Sequence, residues 1–278
     1  MVIASNLIAE GIEDILREVL SEGESELLVV NPTADVLESL VSVATLSEET
    51  LPTVRVIADE SLLKDVVDDF IVASNAADLV EAGTLSLTTG NAGDQNSLIV
   101  TEHAVLSLVT TGERVAALVT DDDEFVESTY ETYTTAWEEA PEFKLRTPSI
   151  SVVRESLATD LSEDVQADFD TVLSSLQTAR GDGQGLDEVT ISLLVAAKND
   201  ILLYDISKWG EDIGIASKAT FSRTKTKLED LGLVDTEKVP IDVGRPRLRL
   251  KLGDDRLRGI DAAELAAEAA EMMAATPA

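Results

Sequence analysis

In the stretch RLRLKL (247–252) every second residue is leucine and every other one carries a positive charge. That period of two sorts leucines from cations only on an extended strand, giving one apolar and one cationic face. With LVDTEKVP before it, residues 233–252 read as two strands around a turn. Three helical segments precede the pair. LDEVTISLLVAAKN (186–199) has Val189, Leu193 and Val195 or Ala196 for a buried side, YDISKWGEDIG is a second helix, and a third begins at Ser217, which can cap it. Gly210 falls inside the second helix, where two crossing helices want a small residue, and Gly214 falls in the turn, where a positive φ is needed. Three helices followed by a hairpin make a winged helix-turn-helix.

The third helix divides cleanly at 100° per residue. Phe221, Thr224, Leu228 and Leu231 share one side, the core face. Ala219, Ser222, Arg223 and Thr226 point away from it, with Lys218 and Lys225 along one rim and Thr220 and Lys227 along the other. Short polar groups around one arginine, with cations at the edges, suit a helix in the major groove of duplex DNA: the centre reads base edges and the rims hold phosphates. On the wing, Arg247 and Arg249 lie on the cationic face. Arg245, between Gly and Pro in VGRPR, is a compact cation for a narrow minor groove.

Charge sets this region apart from the rest. The chain has 54 acids against 21 Lys and Arg, a formal charge of -33, yet residues 198–258 hold 13 of those cations against 11 acids. Such asymmetry marks a nucleic-acid-facing module attached to something else. At 44% hydrophobic residues the chain can still build cores, so the acidity is not that of a disordered polypeptide. It implies a medium that screens self-repulsion, as a halophile cytoplasm does. With no cysteine there is no disulfide, thiolate metal site or thiol nucleophile, and a single histidine, His103, excludes a two-histidine metal site. No run of about 18 uncharged apolar residues occurs, and the expectation is a soluble, cytoplasmic protein without membrane contact.

The first half reads as α/β. Strands at 26–30, 53–58, 84–89, 97–101, 103–109 and 114–120, helical spacing over 34–46 and from 59 to Gly83, and a closing helix at 122–139 predict a mixed sheet with packed helices. The expected divisions are an α/β domain at 1–146, a helical linker at 147–185, the winged helix at 186–260 and a C-terminal helix or tail at 261–278. GNAGDQN lacks the Gly-Lys-Ser/Thr ending of a phosphate loop, and GDGQG (181–185) follows a helix where a dinucleotide site needs a strand. The acid run at 120–124 suits either a hard cation or a helix N-terminus.

The segment LLYDISKWGEDIGIASKATFSRTKTKLEDLGLVDTEKVPIDVGRPRLRL closely resembles the C-terminal domain of the TbsP-type haloarchaeal transcriptional regulators, and the N-terminal half is similar to theirs. The resemblance implies a DNA-binding regulator of gene expression connected with central carbon metabolism. The partners expected are double-stranded DNA, a second copy of the chain, and a small-molecule effector at the N-terminal domain. No cofactor, metal or catalytic residue is expected. Set against generic winged helices, Ala216 lengthens the turn and Lys225 replaces an apolar residue. The competing readings are a scaffold that uses the winged helix for protein contacts and a phosphodiesterase-like enzyme. The latter would carry His-x-Lys at His103, but Val105 stands in the third position.

Overall fold

The computed structural model describes residues 7–21, 25–90, 96–111, 114–176, 178–180, 186–240 and 246–275. They fall into two compact units, one of residues 1–67 and 75–145, the other of 68–74 and 146–278.

The first unit is built on a seven-stranded sheet. Its strands are β1 (Leu7–Ala9), β2 (Glu26–Val30), β3 (Thr53–Ala58), β4 (Leu85–Thr89), β5 (Leu98–Val100), β6 (Val105–Thr111) and β7 (Arg114–Thr120), in the order β1-β7-β6-β5-β2-β3-β4. β2, β3 and β4 are parallel, whereas β5, β6, β7 and β1 add as an antiparallel meander. The sheet is therefore mixed. The parallel steps need crossovers, which are α2 (Ala34–Leu46), α3 (Glu60–Val67) and α4 (Phe70–Glu81); α1 (Ile12–Ser21) precedes β2, and α5 (Asp123–Glu139) follows β7. Leu27, Leu28, Val29 and Val30 are all buried. Successive side chains of a strand point to opposite faces, so both faces of β2 are covered. One of them packs under α5, where Leu28, Val30, Ile57, Val100 and Val105 meet Val126 and Tyr133.

Thr33 caps α2 by accepting from the Val36 amide at 3.4 Å, and Asp122 caps α5 by accepting from Phe125 at 3.0 Å. The acid run at 120–124 thus begins a helix, and the described residues contain no cluster of three or more His, Cys, Asp or Glu fit to hold a metal. The helical stretch expected from 59 to 83 is two helices. Asp69 breaks it: its buried carboxylate accepts from the Ile71 amide at 2.9 Å, starting α4 afresh, and takes hydrogen bonds from the Thr178 hydroxyl and, at 3.3 Å, the Ala179 amide.

The second unit comprises α6 (Ile150–Ser156), a π-helical turn (Leu157–Leu161), α7 (Glu163–Ser175), α8 (Glu188–Lys198), α9 (Leu203–Asp212), α10 (Lys218–Asp230), β8 (Val234–Val239), β9 (Arg247–Leu252), a short 3₁₀ turn (Asp255–Leu257) and α11 (Ala262–Ala274). The three helices and hairpin of a winged helix-turn-helix are α8, α9, α10 and β8–β9. The stretch 147–185, expected to link, supplies α6 and α7. Their Val153, Leu157, Phe169 and Val172 share one core with α8, α9, α10 and α11. α8 differs from its expected single buried side: every residue from Val189 to Ala197 is buried. α7, α10, β9 and α11 surround it, so it has no solvent face to leave polar. Among the described residues no helix is long and apolar enough to cross a membrane.

Candidate nucleic-acid interface

α10 begins at Ser217, whose hydroxyl accepts from the Thr220 amide at 3.2 Å. Phe221 and Leu228 anchor the helix, both fully buried. Phe221 lies against Gly210 of α9, where an added Cβ would overlap its ring. Gly214, at φ 86°, turns the chain between the two helices. Helix position and crossing are thus both set by packing, and the opposite side of α10 is left to solvent. Ala219, Ser222, Arg223, Thr226 and Lys227 are exposed there, while Lys218 and Thr220 are half-buried. The Arg223 guanidinium reaches the Thr220 hydroxyl at 3.4 Å, and the Thr226 hydroxyl donates to the Ser222 carbonyl at 3.1 Å.

Lys225 lies off this strip. Its side chain is only 12% exposed and its ammonium pairs with Glu229 at 2.6 Å. Glu229 also accepts from the Thr236 hydroxyl at 3.0 Å. A lysine where an apolar residue is usual therefore holds Glu229, which ties α10 to β8, while its aliphatic stem covers the core.

The wing is less basic than β9 alone suggests. Register sets Asp235 opposite Lys251 and Glu237 opposite Arg249, so the cationic face of β9 meets acids on β8. Arg249 pairs with Glu237 at 3.9 Å, Lys251 with Asp200 at 2.7 Å and Arg247 with Asp205 at 3.5 Å. Arg247 also stacks on Tyr204, 4.2 Å from its ring centre. Arg245 lies outside the described residues. Lys218 joins Glu211, the last turn of α9, through both its ammonium and its backbone amide. The ammonium holds the Glu211 carboxyl below its usual range. Sequence reasoning passed over Glu211 and Tyr204. Glu211 and Lys218 lie on different helices with a turn between them, so helical spacing does not relate them, and Tyr204 meets Arg247 only through the fold.

The family of TbsP-like transcriptional regulators matches by its N-terminal part over residues 4–148 and by its C-terminal helix-turn-helix domain over residues 149–270. The chain belongs to that family. DNA is accordingly the partner of the helix-turn-helix, and transcriptional regulation is the role the family assigns. No curated protein matches the chain. Among solved structures, TrmBL2, an archaeal chromatin protein, is 15% identical over 51% of this chain and 55% of its own, with a TM-score of 0.36. Nuc from Salmonella typhimurium, a phospholipase D family member, is 13% identical over 50% of this chain and 98% of its own, at 0.35. NucT from Helicobacter pylori is 12% identical over 50% and 99%, at 0.31. His103 of the present chain is exposed, and Val105, two residues on, is buried in the core beneath α5.

Proposed function

We propose that the chain reads duplex DNA with α10 in the major groove and the wing, residues 239–252, over the neighbouring backbone. Arg223 reads: its planar fork matches the O6 and N7 acceptors of guanine. Ala219, Ser222 and Thr226 approach base edges around it. Lys218, Thr220, Lys227, Arg247 and Arg249 hold phosphates, and Arg245 is assigned to the minor groove on sequence grounds. Lys225 acts through its anchoring of β8. The observation that carries this reading is the position of Arg223, exposed among the short side chains Ala219, Ser222 and Thr226 and making no ion pair among the described residues, with the one acid of that side, Asp230, at the far end of the helix.

Two copies, whose recognition helices lie one helical turn of DNA apart, give the half-site arrangement usual for such helices. The first unit is assigned to pairing and to an effector. A cleft of about 490 Å³ between α1 and α2, lined by Leu20, Val43 and Leu51 together with Glu13, Arg17 and Glu49, is the place assigned to a small polar molecule. A salt-rich cytoplasm fits the formal charge of -33.

Competition binding tests the reading. Arg223→Ala is expected to lose its ranking among duplexes, a loss of roughly 1 to 3 kcal/mol at its base pair, whereas Lys227→Ala weakens all duplexes alike. An alanine variant at 223 that keeps the wild-type ranking would show the recognition face to be misassigned.

A further inference from the structure

Of the eight described cations between residues 217 and 251, five hold a carboxylate. These are Lys218 with Glu211, Lys225 with Glu229, Arg247 with Asp205, Arg249 with Glu237 and Lys251 with Asp200. Arg223, Lys227 and Lys238 make no ion pair among the described residues. The acids come from five separate places: the first and the last turn of α9, the bend after α8, strand β8 and α10 itself. A protein with an excess of acids everywhere would acquire some such pairs by chance. Here, though, the unpaired Arg223 and Lys227 lie on the exposed strip of α10, and the paired cations lie around it.

We propose that Glu211, Asp205 and Glu237 are specificity-determining residues of the DNA interface, acting as built-in counterions to its phosphate-holding cations. This rests on the reading of α10 and the wing as the DNA-binding surface. A phosphate approaching Lys218 has to displace Glu211, and one approaching Arg247 has to displace Asp205. Exposed pairs of this kind contribute little to stability, so the exchange is easy but brings little net gain. Attraction to any duplex is thereby held down, and discrimination falls to Arg223, which has no carboxylate to give up. The exchange also alters the ion balance. A phosphate that meets a bare cation releases close to one condensed counterion from the duplex. When a carboxylate is set free in the same step it takes up a cation from solution, and the release is largely cancelled. Affinity then depends only shallowly on salt concentration, as binding in molar potassium requires.

The test uses the full chain and two duplexes of equal length, one from a genomic region that the protein occupies in its native cell and one of random sequence. Affinities are measured from about 0.5 to 3 M KCl, through the regime of short screening lengths. Glu211→Gln frees the Lys218 ammonium. It is expected to raise affinity for the random duplex about two- to fivefold at the lowest salt, to narrow the ratio between the two duplexes, and to steepen the logarithmic salt slope by about 0.9. Asp205→Asn, freeing Arg247, should do the same, which guards against one variant failing to fold. Glu60→Gln breaks the exposed Lys64–Glu60 pair of the first unit, 2.7 Å long, and makes the same change of net charge. It should alter none of these quantities. Slopes and ratios unchanged in both Glu211→Gln and Asp205→Asn, or an equal effect of Glu60→Gln, would overturn the proposal while leaving DNA binding intact. A wild type that binds neither duplex would remove the underlying reading, and this inference with it.

Discussion

A methyl group at position 210 would overlap Cε2 and Cζ of Phe221. Phe221 is fully buried, so its ring has no free space to turn into, and the strain must be taken up by separating α9 from α10. Overpacking of this kind costs about 1 to 3 kcal/mol. Gly210→Ala is therefore expected to lower the melting midpoint by roughly 3 to 10 °C and to weaken DNA binding through the displaced helix. Phe221→Leu in the same background should recover part of both, as calorimetry and a binding titration would show; no recovery would place the cause elsewhere. The glycine was legible in the sequence because a helix interior tolerates one only for a reason. The lysine at 225 was legible only as an oddity: its partner Glu229 lies one turn on in the same helix, but the link from Glu229 to Thr236 of β8 arises only through the fold.

At the scale of elements, α8 is the centre of the second unit, and its first residue carries a cost. Burial pushes the Glu188 carboxyl above its ordinary range, and the neighbouring charges of Asp187 and Asp68 push the same way. The native state thus disfavours the ionised form. Below about pH 4.5 the group is protonated whether the chain is folded or not and costs nothing; as pH rises through the elevated value, the folded state pays increasingly. Glu188→Gln is expected to raise the melting midpoint relative to wild type at pH 7 and to give no gain near pH 4. An equal gain at both pH values would locate the effect in packing instead of charge. The six strands from 26 to 120 were readable because Val, Leu and Thr alternate or run together between turns, and α2 and α5 because their caps are ordinary; β1, three residues at the sheet edge, is too short to carry a pattern. The division of α3 from α4 was not, since Asp68 and Asp69 sit within an unbroken helical rhythm and the groups that occupy Asp69 come from residues 178–180. The all-round burial of α8 was hidden for a similar reason. Periodicity shows which side of a helix is most apolar, and not how many neighbours will cover it.

For the whole molecule, a formal charge of -33 over 278 residues means that compaction gathers like charges, and the resulting repulsion weakens as the screening length falls from about 10 Å at 0.1 M salt to about 3 Å at 1 M. The melting midpoint should therefore climb steeply between about 0.1 and 1 M KCl, and more gently above. A midpoint indifferent to KCl would show that the acids are already neutralised by local pairing. The second unit also has an unusual make-up, because residues 68–74 belong to it although the chain then returns to the first. Phe70 from that short piece meets Phe169 edge to face, with ring centres 6.4 Å apart, and Asp69 satisfies Thr178 and Ala179. The boundary between the two halves in space is thus not a boundary in the gene. A recombination that joins a new N-terminal unit to this helix-turn-helix unit at residue 146 leaves Phe169 without its ring partner and the 178–180 segment without its acceptor, so the second unit cannot be passed on intact by a single crossover.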